Sequence, residues 1–267
     1  HHPVHHLDHH LDHPEHEVTN ARTAKSAREK SAEMRAQAAR QETRKRSTLV
    51  LAAVLAVLAV AVGATVLVRT ATHNQSVAQA AAEAPPGNVN GNGGIVVGDG
   101  GAKVTITSYE DFQCPACASF EKANATQIEK WVADGTVKVE YRPIAFLDEQ
   151  STTGYSTRAL VAAAAVVDKT PSAFPAFHKV LFANQPAEGS AGLDDATLVD
   201  LAGQAGGDSA AVQTALSQGK FKGWTAKVTD AFFTAKYTGT PTILVNGTQL
   251  KDWSPTALAA AVEKAAA

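Results

Sequence analysis

Ser47 to Val68 is a run of 22 residues without a charge, built mostly of Leu, Val and Ala. At about 1.5 Å per residue, a helix of that length spans roughly 30 Å, the hydrocarbon thickness of a bilayer. The run therefore divides the chain, and anything folding in water must lie to one side of it. A cleaved signal peptide is the competing reading, but its apolar core is only about 7–15 residues long. The length favours an uncleaved anchor over residues 47–68. Residues 21–46, just before it, hold nine Lys and Arg against three Glu and end in Arg44-Lys45-Arg46. The positive-inside bias then predicts a cytoplasmic tail over residues 1–46 and an extracytoplasmic remainder beyond Arg69. The span already accounts for this basic charge without invoking nucleic acid.

Residues 1–20 carry eight of the ten histidines among Asp, Glu and Pro. A tract so poor in apolar surface is predicted to be disordered, a tag-like or solvated tail rather than a metal binder. From 69 to 94 the sequence turns to Ala, Gln, Asn and Gly with a Pro85-Pro86 pair, which predicts a linker flexible at its Gly-Asn end. Residues 95–267 hold 14 Lys and Arg against 18 Asp and Glu. That negative balance offers no nucleic-acid surface, and the length is enough for one substantial core.

Within 95–267, Ile95–Val97 and Val104–Tyr109 read as strands, a helix follows to about Val132, and Val137–Ile144 reads as the next strand. On that helix Ile128, Trp131 and Val132 share a face, while Cys117 and Phe120 continue one a turn apart. From about 152 to 217, Arg158–Val167, Ala173–Ala183, Asp195–Ala205 and Ser209–Ser217 are helical patterns separated by Pro and Gly. They predict a helical block set inside an α/β chain, with Asp194 and Asp208 as N-caps. A helix near 220–236 and a strand at Thr242–Val245 come next. Asn246-Gly247 then supplies the positive φ angles of a type I′ turn. A short strand at Thr248–Leu250 and a helix from Pro255 complete the chain.

The chain's two cysteines stand together as Cys114-Pro115-Ala116-Cys117, between a predicted strand and a predicted helix. Pro115 suits a first helical position, where its missing amide hydrogen costs nothing. A thiol at a helix N-terminus meets unpaired amide hydrogens and the positive end of the macrodipole. Cys114 is thus predicted to be the more acidic, attacking thiol. Cys117, one turn further in, is predicted to be more buried and to close or resolve the disulfide. A structural zinc site normally takes four ligands, and beyond the tail and linker only His178 could join the cysteines. A structural disulfide across so short a loop stabilises by only about 2 kcal/mol. A hydrolase pairing a cysteine with His178 leaves the second cysteine unexplained. His178, in the helical block, reads as a surface histidine, with an approach to the cysteine site as the other reading.

These features are joined by Gly239-Thr240-Pro241-Thr242 opening a late strand that continues Ile-Leu-Val-Asn-Gly. The order of strand, Cys-x-x-Cys, helix, strand, helical block and late Thr-Pro resembles the DsbA-like thiol-disulfide oxidoreductases of the thioredoxin superfamily. The resemblance covers residues 95–267. It implies an α/β thioredoxin fold with a helical insertion at about 152–217, here preceded by a single N-terminal transmembrane helix. It also implies that Pro241 is cis and faces the sulfurs, that Thr240 receives substrate peptide as an added strand, and that Pro115, Ala116 and Pro241 tune the site. A strand-initiating proline is the other reading of Pro241. Two positions depart from the family pattern. Relatives often carry a buried acid six positions before the first cysteine, where this chain has Ser108. Glu110 and Asp111 lie nearer, either as substitutes or as solvated acids. Strongly oxidising relatives place His between the cysteines, and Pro115-Ala116 implies a less acidic Cys114 and a less oxidising couple.

The expectation is a membrane-anchored, extracytoplasmic protein disulfide oxidoreductase that oxidises the free thiols of secreted or membrane proteins. Its redox group is the Cys114–Cys117 disulfide, with no small-molecule cofactor and no metal, and a membrane redox partner restores it. Two alternatives stay open. One is a reductase or isomerase using the same site, which Thr240 before Pro241 allows. The other is a non-enzymatic, membrane-anchored peptide-binding module or chaperone with a structural disulfide.

Overall fold

The computed structural model describes Met34 and residues 84–267. The predicted tail, the Ser47–Val68 span and the linker as far as Glu83 lie outside the described residues. Among the described residues no helix is long and apolar enough to cross a membrane.

Five strands form one sheet: β1 (Ile95–Val97), β2 (Val104–Glu110), β3 (Val137–Pro143), β4 (Thr242–Val245) and β5 (Thr248–Gln249), in the order β1-β3-β2-β4-β5. β2 is central. It runs parallel to β3, with Val104 opposite Val137, and antiparallel to β4, with Ile106 opposite Val245. β1 pairs antiparallel with β3 and β5 with β4. The β4–β5 turn has φ of 46° at Asn246 and 80° at Gly247, the positive angles that dipeptide was expected to supply. Asn246 also accepts a hydrogen bond from the Thr105 amide at 2.7 Å, tying the hairpin to β2.

Helices cover both faces of this sheet. On one face, α1 (Pro115–Ala133) and α7 (Pro255–Ala266) enclose Val104, Ile106, Phe120, Ile128, Ile243 and Leu258. The other face meets α6 (Lys222–Thr234), whose Trp224, Val228 and Phe232 share a core with Tyr109 and the helical block. Double coverage buries polar as well as apolar residues of β2: Thr107, Ser108 and Glu110 are buried alongside Val104 and Ile106.

The block consists of α2 (Tyr155–Lys169), α3 (Phe174–Ala183), α4 (Asp195–Gln204) and α5 (Ser209–Gln218). Every residue of α2 from Ala159 to Val167 is buried, so this helix is apolar on all sides and serves as the block's axle. Asp194 caps α4 by accepting from the Thr197 amide at 2.8 Å, and Asp208 caps α5 by accepting from Ala211 at 3.0 Å. Both caps fall where the sequence placed them. The strand order and inserted block are the thioredoxin-type arrangement that the resemblance implied.

The stretch before β1 departs from expectation. Its Gly-Asn end, read as flexible linker, is fastened to the domain from Gly87 onward. The Gly87 amide donates to Asp168 at 2.7 Å, Asn88 donates to the Val167 carbonyl at 3.0 Å, and Asn90 donates to Glu140 at 2.5 Å. Asn side chains and free amides suit a turn. Here they also find acceptors about 50–80 residues later in the chain, on β3 and α2.

Candidate active site

β2 ends at Glu110, and a three-residue turn delivers Cys114 to the N-cap of α1 with Pro115 in the first helical turn. Asp111 shapes that turn. Its carboxylate accepts from the Gln113 amide and the Ser156 hydroxyl, each at 2.7 Å, and from the Leu147 amide at 2.9 Å. The helical block grips the same turn from outside. Gln185 donates to the carbonyls of Phe112 and Cys114, and Gln113 donates back to those of Ala187 and Ser190. The insertion thereby holds the active-site turn, a role with no local signature in the sequence.

Both cysteines are free thiols. Cys114 is 7% exposed and Cys117 fully buried, the asymmetry expected for an attacking and a resolving sulfur. The Thr240–Pro241 bond is cis, and the Cys114 thiol lies 3.3 Å from the Thr240 carbonyl oxygen. Cys114, Cys117, Thr240 and Pro241 are thus gathered at one point, with Pro115 and Ala116 opening the helix beside them. Ala116, Thr240 and Pro241 also line a groove of about 680 Å³ next to the sulfurs.

The two thiols are driven apart in acidity. Cys114 is lowered to about 6, chiefly by the hydrogen bond from the Cys117 thiol, against the opposing effect of burial. The buried Thr240 hydroxyl and the Cys117 and Ala116 amides add to the lowering. That hydroxyl has no other hydrogen-bond partner, so a thiolate at Cys114 satisfies it. Cys117 is raised well above the thiol range by burial, by its bond to Cys114 and by negative charge on Cys114 and Glu110. Only the thiolate reacts with an alkylating agent. Iodoacetamide labelling of the dithiol form is therefore expected to rise with pH to a plateau, with its midpoint near pH 6. A midpoint near the ordinary thiol value of about 8.5 is the contrary result.

Glu110 and Asp111 are fully buried rather than solvated. Burial raises Asp111 to about 6. Glu110 lies two residues beyond Ser108 on the same face of β2, since side chains alternate along a strand. Ser108 donates to it at 3.2 Å. The acid missing at Ser108 is in effect moved one step along that face. His178 is likewise not on the surface. It is 3% exposed, with Nε2 donating to Glu110 Oε1 at 2.5 Å and Nδ1 3.9 Å from Glu121 Oε2. The rings of Phe112, Tyr141, Phe174 and Phe182 surround it. Burial alone would lower its pKa, but Glu110 and then Glu121 raise it to about 9, so it is an imidazolium at neutral pH. Burial raises Glu121 to about 7, opposed by that imidazolium.

Glu110, Glu121 and His178 bring three possible metal-ligand atoms within 4.8 Å of one another. The imidazole Nε2 is already committed to Glu110, and the ring stands between two carboxylates. Glu121 follows Cys117 by four residues, one helical turn on the same face; that spacing is the signal by which it could have been found.

A family model described as thioredoxin matches residues 90–264. The chain belongs to the thioredoxin family. Among solved structures it is similar to the reduced disulfide bond oxidoreductase DsbG of Mycobacterium tuberculosis. That match has 33% identity and a TM-score of 0.59, covering 67% of this chain and 89% of the other. Reduced DsbA of the same organism matches at 32% identity and TM-score 0.56, over 65% of this chain and 97% of that one. BdbD of Bacillus subtilis matches at 26% and 0.60, over 69% and 98%. The serine/threonine-protein kinase PknE of M. tuberculosis is 36% identical over 126 residues, 45% of this chain but 22% of the kinase. The chain therefore spans about a fifth of the length of this curated relative. Residues 90–264 form a DsbA-like protein disulfide oxidoreductase domain of the thioredoxin family.

Proposed function

We propose that this protein introduces disulfides into secreted or membrane proteins outside the cytoplasm, from an anchor at Ser47–Val68. The observation that carries the direction is the depressed pKa of Cys114. A stabilised thiolate stabilises the dithiol form, and a couple whose reduced form is stabilised is the better oxidant. The Cys117 thiol, the Thr240 hydroxyl and two helix amides supply that stabilisation, in place of the inter-cysteine His of the strong oxidants.

In the oxidised enzyme a substrate thiolate attacks Cys114 Sγ. The Cys114–Cys117 bond breaks, and Cys117 leaves as a thiolate that takes up one proton. Its raised pKa favours that uptake. The substrate's second thiolate then attacks the substrate sulfur of the mixed disulfide and Cys114 departs as a thiolate. Two electrons have passed from the substrate dithiol to the enzyme. A membrane redox partner accepts them and restores the Cys114–Cys117 bond. The uncharged run beside a basic segment supports the anchor, and disulfides persist outside the cytoplasm.

The reduction potential of the Cys114–Cys117 couple, equilibrated against glutathione, tests the direction. The expected value is about −180 mV or higher, at or above that of protein disulfide isomerase. A value near about −270 mV, that of thioredoxin, would overturn oxidation in favour of the reductase reading.

A further inference from the structure

The groove beside the sulfurs has a charge opposite to that of the domain around it. Residues 95–267 carry four more acids than bases, yet the groove is lined by Lys236 and Lys251 and by no carboxylate. Both lysines are exposed, and neither makes an ion pair among the described residues. Among the described residues lysine ion pairs occur only at Lys169 with Asp168 and Lys179 with Glu129, so what sets Lys236 and Lys251 apart is their place on the groove. The nearest acid in sequence, Asp252, accepts from the Ser254 amide at 2.8 Å, a role at the start of α7. Tyr237 and Trp253 give the same groove half-buried aromatic walls. Tyr237 packs on Tyr109 and Phe232, and Trp253 meets Phe120 edge-on, so the walls are fixed by the core.

We infer that this groove selects cysteine-bearing segments that carry Asp or Glu beside the reacting thiol. The inference rests on the oxidoreductase reading and names the substrate class of the same site. An extended segment laid along Thr240 would run through the groove that the two lysines line. Acidic neighbours raise the pKa of a substrate thiol, which slows its attack on Cys114. Two unpaired cations counter that effect and steer the negative segment in. Such rim charges act mainly on association and weaken with salt.

The test uses the full chain and two dithiol peptides that differ only in having Glu or Lys on either side of the first cysteine. At low ionic strength the Glu peptide is expected to be oxidised with a kcat/KM on the order of 10-fold higher. That ratio should fall towards unity in 0.5 M salt, where the Debye length is only about 4 Å. The Lys236→Gln/Lys251→Gln variant should show the same reduced ratio at low salt, with unchanged thermal unfolding because both side chains are exposed. Equal rates for the two peptides, or a preference that survives both lysine replacements, would overturn the inference and leave the oxidoreductase reading standing. Failure to oxidise either peptide would overturn both.

Discussion

Replacing Cys114 by Ser is expected to reduce oxidation of a dithiol substrate to the uncatalysed rate. The attacked sulfur is gone, and a serine hydroxyl can form no mixed disulfide. The side chain is small and sits at the N-cap, a position Ser favours, so unfolding of the variant should stay close to that of the reduced wild type. Loss of activity with retained fold separates the enzyme from a binding module. In the latter the disulfide is only a brace and the Ser variant keeps its biological activity.

The second large effect falls on stability. Glu110→Ala is expected to destabilise the domain by about 3–5 kcal/mol, because it leaves the His178 imidazolium buried without its nearest carboxylate. At this domain size that lowers the melting temperature by on the order of 10 °C. Glu110→Leu combined with His178→Leu should recover much of the loss, since a buried pair replaced by apolar groups is often neutral. Thermal unfolding of the single and double variants measures this, and a single variant as stable as wild type would contradict the buried pair. The pH dependence follows from the raised folded pKa of His178. Its contribution is complete below the unfolded value of about 6.5. It declines as pH rises and is lost through the folded value of about 9. In the oxidised protein, where Cys114 carries no titrating thiol, wild-type stability should therefore fall over that window, and the double Leu variant should lack this component.

What could be read in the sequence was what its neighbours decide. The Cys-Pro-Ala-Cys turn, the Asp194 and Asp208 caps and the Asn246-Gly247 hairpin each depend on a few adjacent residues, and the structure has them in place. The inserted block was visible as four helical periods interrupted by Pro and Gly. What could not be read depends on distant partners. His178 reads as a surface residue because its carboxylate partner lies 68 positions earlier. Glu110 and Asp111 read as solvated because nothing local reveals the helices that bury them. The Pro-Gly-Asn stretch before β1 has a linker's composition, yet its bonding groups are satisfied by α2 and β3. Gln185, which holds the Cys114 carbonyl, lies in a loop with no distinguishing pattern. At the site itself the key relation was legible through resemblance alone, since 126 residues separate Cys114 from Thr240.

The central claim is that Cys114 is the sulfur that joins enzyme to substrate and Cys117 the one that resolves the adduct. Cys117→Ser tests it most directly, by mass spectrometry of the variant after incubation with disulfide-bearing substrate protein. The account predicts a stable, reductant-sensitive mixed disulfide mapped to Cys114, accumulating because the resolving thiol is absent. No adduct at Cys114 under conditions in which the reduced wild type exchanges with the same substrate disulfide would contradict it.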